Sequence, residues 1–432
     1  MAEVKLMNAK GVRDFLPEEK IPRQRIVDTL KGIFEMYGFS PIETPSIERL
    51  DVLAAKFAGG EEILKEIFKF NDQGDRKLGL IYDLTVPMCK VVGMNPNLPR
   101  PFRRYQIQPV WRDGPIKLGR YREFLQCDVD IVGVKSMVAD AEILSIVDRA
   151  FRGMKMDFVI RVNNRKLLNG IMDYAGFGEY KMKAILAIDK LAKIGAEGVK
   201  EELLTLGFEK KEVDNVLKIL RIKGKNPEVL SQVKKFVKSD EGMEGIKELE
   251  ELIGYCKKME VKSIEIDLSL ARGLEYYTGP VFEVYLKNSK INSSLAGGGR
   301  YDKMIGMYLG KGEYPATGVS FGIEPIFEAL KLEKKTGESR TVSRILVIPI
   351  GDTFEKALPI VEKIRDQGIP CEIDIMGRGI SKNLSYANSL GIPYVIFLGE
   401  KELKEKKVKL RDMKSGKEEM LTIEKVVEKL KQ

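Results

Sequence analysis

In the stretch ARGLEYYTGPVFEVY, residues 271–285, Arg272 precedes the adjacent pair Tyr276 and Tyr277 between two glycines. Such a run is either a hairpin that carries tyrosines or one wall of a pocket. A second concentration lies between Arg100 and Glu123, where six Arg and one Lys face two acids and alternate with Phe102, Tyr105, Trp111 and Tyr121, with Phe124 just beyond. Arginine beside aromatic rings suits planar, phosphate-bearing ligands, because guanidinium binds phosphate through two parallel hydrogen bonds and rings stack on bases. The same composition also fits a solvated basic strand pair.

The 432 residues include no histidine, which removes the commonest general base and the commonest metal ligand. Ser-His-Asp and Cys-His catalysis are excluded, as are His-based zinc sites. The four cysteines, Cys89, Cys127, Cys256 and Cys371, are far apart and form no CxxC pair. A disulfide framework or a Cys-based metal site is therefore not expected, and a reducing, cytoplasmic setting is. One reaction class asks little of protein acids and bases: attack of an ionised carboxylate on the α-phosphorus of a nucleoside triphosphate. The nucleophile is already deprotonated, so catalysis is mainly positioning and charge stabilisation, which arginines supply. No GxxxxGK[ST] or GxGxxG occurs, so a P-loop or Rossmann cradle is not the nucleotide site.

The elements that must hold these residues fall into three stretches. Residues 1–162 read as a helix from about Arg23 to Tyr37, a Pro-punctuated extended segment, strand-like spacing around LGLIYDLTVP, RRYQIQPVWRD and RYREFLQCDVDIVG, and a helix opened by Ser136. On a strand, Gln126 and Asp130 share a face, whereas Tyr276 and Tyr277 would face opposite sides. Residues 163–258 are rich in Lys and Glu, read as helical, and have the character of an insertion. Strand patterns return over 259–333, as expected of a helical insert in an antiparallel sheet. After a polar linker, 341–432 alternate strand and helix and end in a basic strand pair, the pattern of a small α/β domain. The net charge of +9 mildly favours a polyanionic partner. No apolar run is long enough to span a membrane, and the charged N-terminus does not resemble a signal peptide.

GVRDFLP, YDLTVP, WRDGPIKLGRYREFLQCDVDIVG, RGLEYYTGPVFE, AGGGRYD and GVSFGIEP occur in that order, and together they resemble the histidyl-tRNA synthetases, class II enzymes. The resemblance covers nearly the whole chain. It implies an α+β catalytic domain on a mixed, mainly antiparallel sheet, a helical insertion and a C-terminal α/β anticodon-binding domain. It also implies ATP with Mg²⁺, L-histidine and histidine tRNA as ligands, and a homodimer. Matched by motif, Arg112 grips the α-phosphate, Phe124 stacks on adenine, and Arg120 and Gly322 line the ATP side. Asp83 and Thr85 hold the substrate ammonium, with Gln126 on the same side. Asp130 reads the imidazole, with Tyr277 beside it, Tyr301 opposite and Tyr276 nearby. Arg272 matches an arginine that contacts the reacting carboxylate and the α-phosphate, where class II relatives often place a metal ion. Gly297, Gly298 and Gly299 would let the backbone come close to the ligand.

Two positions depart from the pattern. Pro325 stands where the third class II motif normally has a γ-phosphate-binding Arg, so a cation from the loop after Arg112 would have to substitute. Ile81 replaces the Arg of LRYDLT. Both departures keep a rival open: the regulatory subunit of ATP phosphoribosyltransferase, a paralogue that does not aminoacylate. Arg112, Arg272, the tyrosine motif, the insertion and the C-terminal module favour the synthetase.

Overall fold

The computed structural model describes residues 5–55, 64–116, 120–272, 276–289, 291, 293–336 and 340–431. Contacts divide the chain into two compact units, one of Met1–Arg13 and Ile26–Glu333, the other of Asp14–Arg25 and Lys334–Gln432.

The strands in chain order are β1 (Ser40–Pro41), β2 (Ile47–Arg49), β3 (Lys69–Asn71), β4 (Lys77–Leu80), β5 (Phe102–Trp111), β6 (Glu123–Val132), β7 (Phe158–Asn164), β8 (Ile264–Ile266), β9 (Pro280–Leu286), β10 (Ala296–Arg300) and β11 (Ala316–Gly322). Eight of them form one sheet in the order β1-β5-β6-β11-β10-β9-β7-β8, while β2, β4 and β3 form a small one. The outermost pairings of the large sheet are parallel and the rest antiparallel, the mixed sheet expected.

Side-chain alternation gives this sheet two unlike faces. On β6, Cys127, Val129 and Ile131 join Phe282, Val284, Val319 and Phe321 in the largest apolar core. Helix Val138–Gly153 packs into that core, as do the helices between Arg165 and Lys258. Gln126, Asp128 and Asp130 occupy the alternate positions and are buried on the other face. The helical segment therefore shares the core of the sheet it interrupts. Its first expected residues, Asn163 and Asn164, instead close β7. The Asn164 side chain caps helix Arg165–Ala175 by accepting from the Lys166 N–H at 2.8 Å.

Two local expectations shift. The N-terminal helix spans Pro17–Met36, because proline in a first turn forfeits no hydrogen bond and Pro17 can start it. The strand-like spacing of LGLIYDLTVP ends at Leu80, and helix Thr85–Met94 follows. Pro87 is tolerated there because it lies in the first turn.

In the other unit, β12 (Ile345–Pro349), β13 (Cys371–Ile373), β14 (Tyr394–Leu398), β15 (Val408–Asp412) and β16 (Glu418–Leu421) form a sheet in the order β13-β12-β14-β15-β16. β12 pairs in parallel with both neighbours, and the last two pairings are antiparallel. Ile345 and Val347 face one apolar layer with Val361 and Ile364, and Leu346 and Ile348 face another with Ala387. A sheet covered on both faces is the expected α/β arrangement. A terminal helix, Ile423–Lys431, completes it.

Candidate active site

The polar face of the large sheet floors a cavity of about 360 Å³, within the usual size of small-molecule sites. Its lining includes Asp83, Thr85, Arg112, Phe124, Gln126, Asp130, Arg272, Tyr276, Tyr277, Tyr301 and Gly322. Residues that lie far apart in the chain meet here because β6, β11, β10 and β9 are neighbours.

At one end the groups are buried and interlocked. Asp130 faces Arg104 directly across β5 and β6, and the guanidinium lies 2.8 Å from its Oδ2. The Tyr301 hydroxyl donates to the other oxygen of Asp130. Asp128, two residues along the same face, accepts from the Gln126 amide at 3.0 and 3.1 Å. Burial pushes the Asp128 carboxyl up to about 7, the nearby Arg104 charge opposing. Burial raises Asp130 too, against Arg104 and the Tyr301 hydroxyl. On β11, Gly318 stands opposite Asp130, and a methyl group there would overlap the Asp130 carboxyl. Only glycine leaves the carboxylate its place.

Tyr276 and Tyr277 precede β9 and do not lie on a strand. The expectation of opposite faces therefore fails, and both rings reach the cavity. Their centroids are 4.7 Å apart, and Tyr276 meets Tyr301 edge-on at 6.2 Å. Asp83, just before helix Thr85–Met94, accepts from the Val86 N–H at 3.0 Å. Burial lifts its carboxyl to about 6, opposed by that N–H and by the Arg112 charge.

The opposite end carries Arg112, by Phe124, while Arg272 enters beside Tyr277. Arg112 donates from Nε to the Tyr82 carbonyl at 3.0 Å, and its guanidinium lies 5.2 Å from the Phe124 ring centroid. Arg272 lies 5.5 Å from the Tyr277 ring centroid, and Gly297 leaves room for its guanidinium. Arg112 and Arg272 are the cations among the lining residues. Arg120 is not brought to the cavity. Its side chain is half-exposed, 3.8 Å from Glu66, and neighbouring Arg122 pairs with Asp113 at 3.0 Å. Ile81 is fully buried, and Pro325 sits in the first turn of helix Ile323–Leu332. Residues 117–119 of the GPIKLG loop and 273–275 of RGLEYYTGP lie outside the described residues.

Sequence reasoning missed Arg104, Asp128, Glu283, Gly318 and Ser320, which floor or border the cavity. A signal existed in RRYQIQ and QCDVD, where polar residues recur at every second position of strands otherwise apolar.

Fold and cavity together are those of a class II aminoacyl-tRNA synthetase. A family model described as histidyl-tRNA synthetase matches residues 11–326, and one described as anticodon binding domain matches residues 344–432. The chain belongs to the histidyl-tRNA synthetase family. A histidine–tRNA ligase of Bacillus cereus is 41% identical over 423 residues, 96% of this chain and 97% of that protein. One from Clostridium tetani is 41% identical over 431 residues, covering 98% and 97%. Among solved structures, the histidyl-tRNA synthetase from Nostoc superposes with a TM-score of 0.89 at 30% identity, over 99% of both chains. A Bacillus halodurans structure titled as an ATP phosphoribosyltransferase regulatory subunit/histidyl-tRNA synthetase reaches 0.78 at 20% identity, over 92% of this chain and all of that one. That likeness is one of fold.

Proposed function

We propose that this chain ligates L-histidine to its tRNA through a histidyl-adenylate. The observation that carries the reading is one cavity that gathers a buried carboxylate–arginine–tyrosine cluster with Arg112 and Arg272. In this reading Asp130 accepts a ring N–H of the substrate imidazole, and Tyr276, Tyr277 and Tyr301 enclose the ring. Asp83, Thr85 and Gln126 hold the ammonium group. Phe124 stacks on adenine while Arg112 binds the α-phosphate. An analogue without the ring N–H would leave Asp130 unpaired, which can cost a factor of about 10⁴–10⁵ in selectivity.

The histidine carboxylate attacks the α-phosphorus, the bond to the β-phosphate oxygen breaks, and pyrophosphate leaves. Arg112 and Arg272 stabilise the charge that develops on the phosphoryl oxygens. The terminal ribose hydroxyl of the tRNA then attacks the histidyl carbonyl, its proton passes to the phosphate, and AMP departs. Mg²⁺ is read as arriving on the phosphates of ATP. The domain reading is a catalytic core of 1–162 and 259–333, a helical insertion of 163–258 facing the acceptor arm, and an anticodon-binding domain of 341–432. We read the assembly as a homodimer through the N-terminal helix and GFSPIETPSIE, an isologous contact. No helix among the described residues is long and apolar enough to cross a membrane, which accords with a cytoplasmic enzyme. Histidine-dependent exchange between ATP and labelled pyrophosphate tests the reading. Exchange driven by histidine and by no other amino acid is expected; histidine binding without exchange would overturn it.

A further inference from the structure

Arg272 reaches the cavity from unusual backbone. Its φ is 40°, a region that residues other than glycine seldom occupy, and its carbonyl accepts from Arg165 at 2.6 Å. The guanidinium meets β9 twice. Nη1 donates to the Phe282 carbonyl at 3.2 Å and lies 3.7 Å from Oε1 of Glu283. The first contact is a hydrogen bond, whereas the second is too long for one and acts through charge. The other oxygen of Glu283 accepts from the Tyr285 hydroxyl. The Tyr285 ring in turn lies 4.7 Å from the Arg161 guanidinium, which pairs with Asp267 at 3.6 Å. Glu283 is thus held through the oxygen that does not face Arg272. It also forms a wall shared by the catalytic cavity and a second one of about 520 Å³ beside β7, β8 and β9.

We propose that Glu283, held by Tyr285, is a positioning residue for Arg272. Before substrates arrive it supplies the counter-charge that keeps the guanidinium aimed into the cavity. When the α-phosphate and the reacting carboxylate enter, the guanidinium passes to their oxygens while keeping its bond to the Phe282 carbonyl. A loose ion pair suits that exchange, because a two-bond fork would hold the arginine in its resting place. Glu283 acts through Arg272 and takes no part in bond making. The inference rests on the adenylation reading above and deepens it.

A double-mutant cycle in the exchange assay tests it on the full chain. Glu283→Ala is expected to lower kcat about 30-fold while the histidine KM stays within about twofold. In an Arg272→Ala background the same substitution should cost nothing further, because the group it positions is gone. Tyr285→Phe should lower kcat about fivefold, and this loss too should vanish with Arg272→Ala. That variant carries the cycle should Glu283→Ala fail to fold. Losses that add fully in both backgrounds would overturn the role, as would a rise in histidine KM at unchanged kcat. A wild-type protein without exchange would sink the function itself. An active wild type with an additive cycle would sink only the role of Glu283.

Discussion

The Asp130 cluster and the two arginines that line the cavity are held on opposite principles. Around Asp130 every group is locked: Arg104, fully buried, pairs with it, Tyr301 donates to it, and Gln126 grips Asp128. Around Arg112 and Arg272 the cations are held by backbone carbonyls and ring faces, with one loose carboxylate contact for Arg272. In the proposed function, a group that recognises a fixed imidazole gains from being immobile, because an unmatched ligand then leaves it unsatisfied. A group that must meet charge as it develops gains from having its own charge incompletely paired. The contrast also concerns stability, since interlocked buried ions are costly to separate and loosely paired ones are not.

The largest expected effect is at the lining arginines. Arg272→Ala should reduce kcat for pyrophosphate exchange about 10³-fold with little change in thermal stability; equal losses in exchange and in histidine binding would break the contrast. In the Asp130 cluster Arg104→Met strips the counter-charge from Asp130 and Asp128, so chemical denaturation should show a loss of about 3–5 kcal/mol. Arg112→Met, the matching change at a lining arginine, should cost far less stability, and a similar loss would erase the distinction. Gly318→Ala pushes a methyl into the Asp130 carboxyl, and about 1–3 kcal/mol of overpacking strain is expected, read as a raised histidine KM at near-normal kcat. The smallest effect concerns acidity. With the Asp83 carboxyl raised to about 6, lowering the pH through that value protonates it and, in its proposed role, removes its attraction for the substrate ammonium. Histidine KM should therefore rise several-fold between pH 7.5 and 5.5, given that a carboxyl at that pKa is mostly ionised at the first and mostly neutral at the second. Asp83→Asn, measured alongside to account for the substrate's own imidazole, should flatten that part of the curve.

The sequence exposed these two sets of residues unequally. Arg112, Phe124, Asp83, Thr85 and the tyrosines lie in distinctive local strings, so motif and chemistry located them together. Arg104 and Asp128 lie in strands whose polar positions look like an ordinary solvated face. Their burial follows from the sheet turning that face toward Tyr276, Tyr277 and Tyr301, a contact between segments more than 140 residues apart. Arg120 sits in the right string, but its half-exposed side chain lies outside the cavity lining, beside Glu66. The Tyr276–Tyr277 expectation failed because alternation was applied to a segment that lies before its strand.

What the sequence determined by itself is the chemistry in reach and the order of the elements. A chain with no histidine and with arginines among aromatic rings leaves carboxylate attack on a phosphate within reach, and the ordered motifs resemble those of the histidyl-tRNA synthetases. Period-two and period-3.6 patterns separate sheet, helical segment and α/β unit, because both signals are local. Only the tertiary structure decided which charges are paired. Whether Asp130 is a surface salt bridge or the floor of a cavity depends on strand register across β5, β6 and β11, and register is set by pairings distant in the chain. The same is true of Arg272, whose aim is set by Glu283, Phe282 and Gly297 on two neighbouring strands.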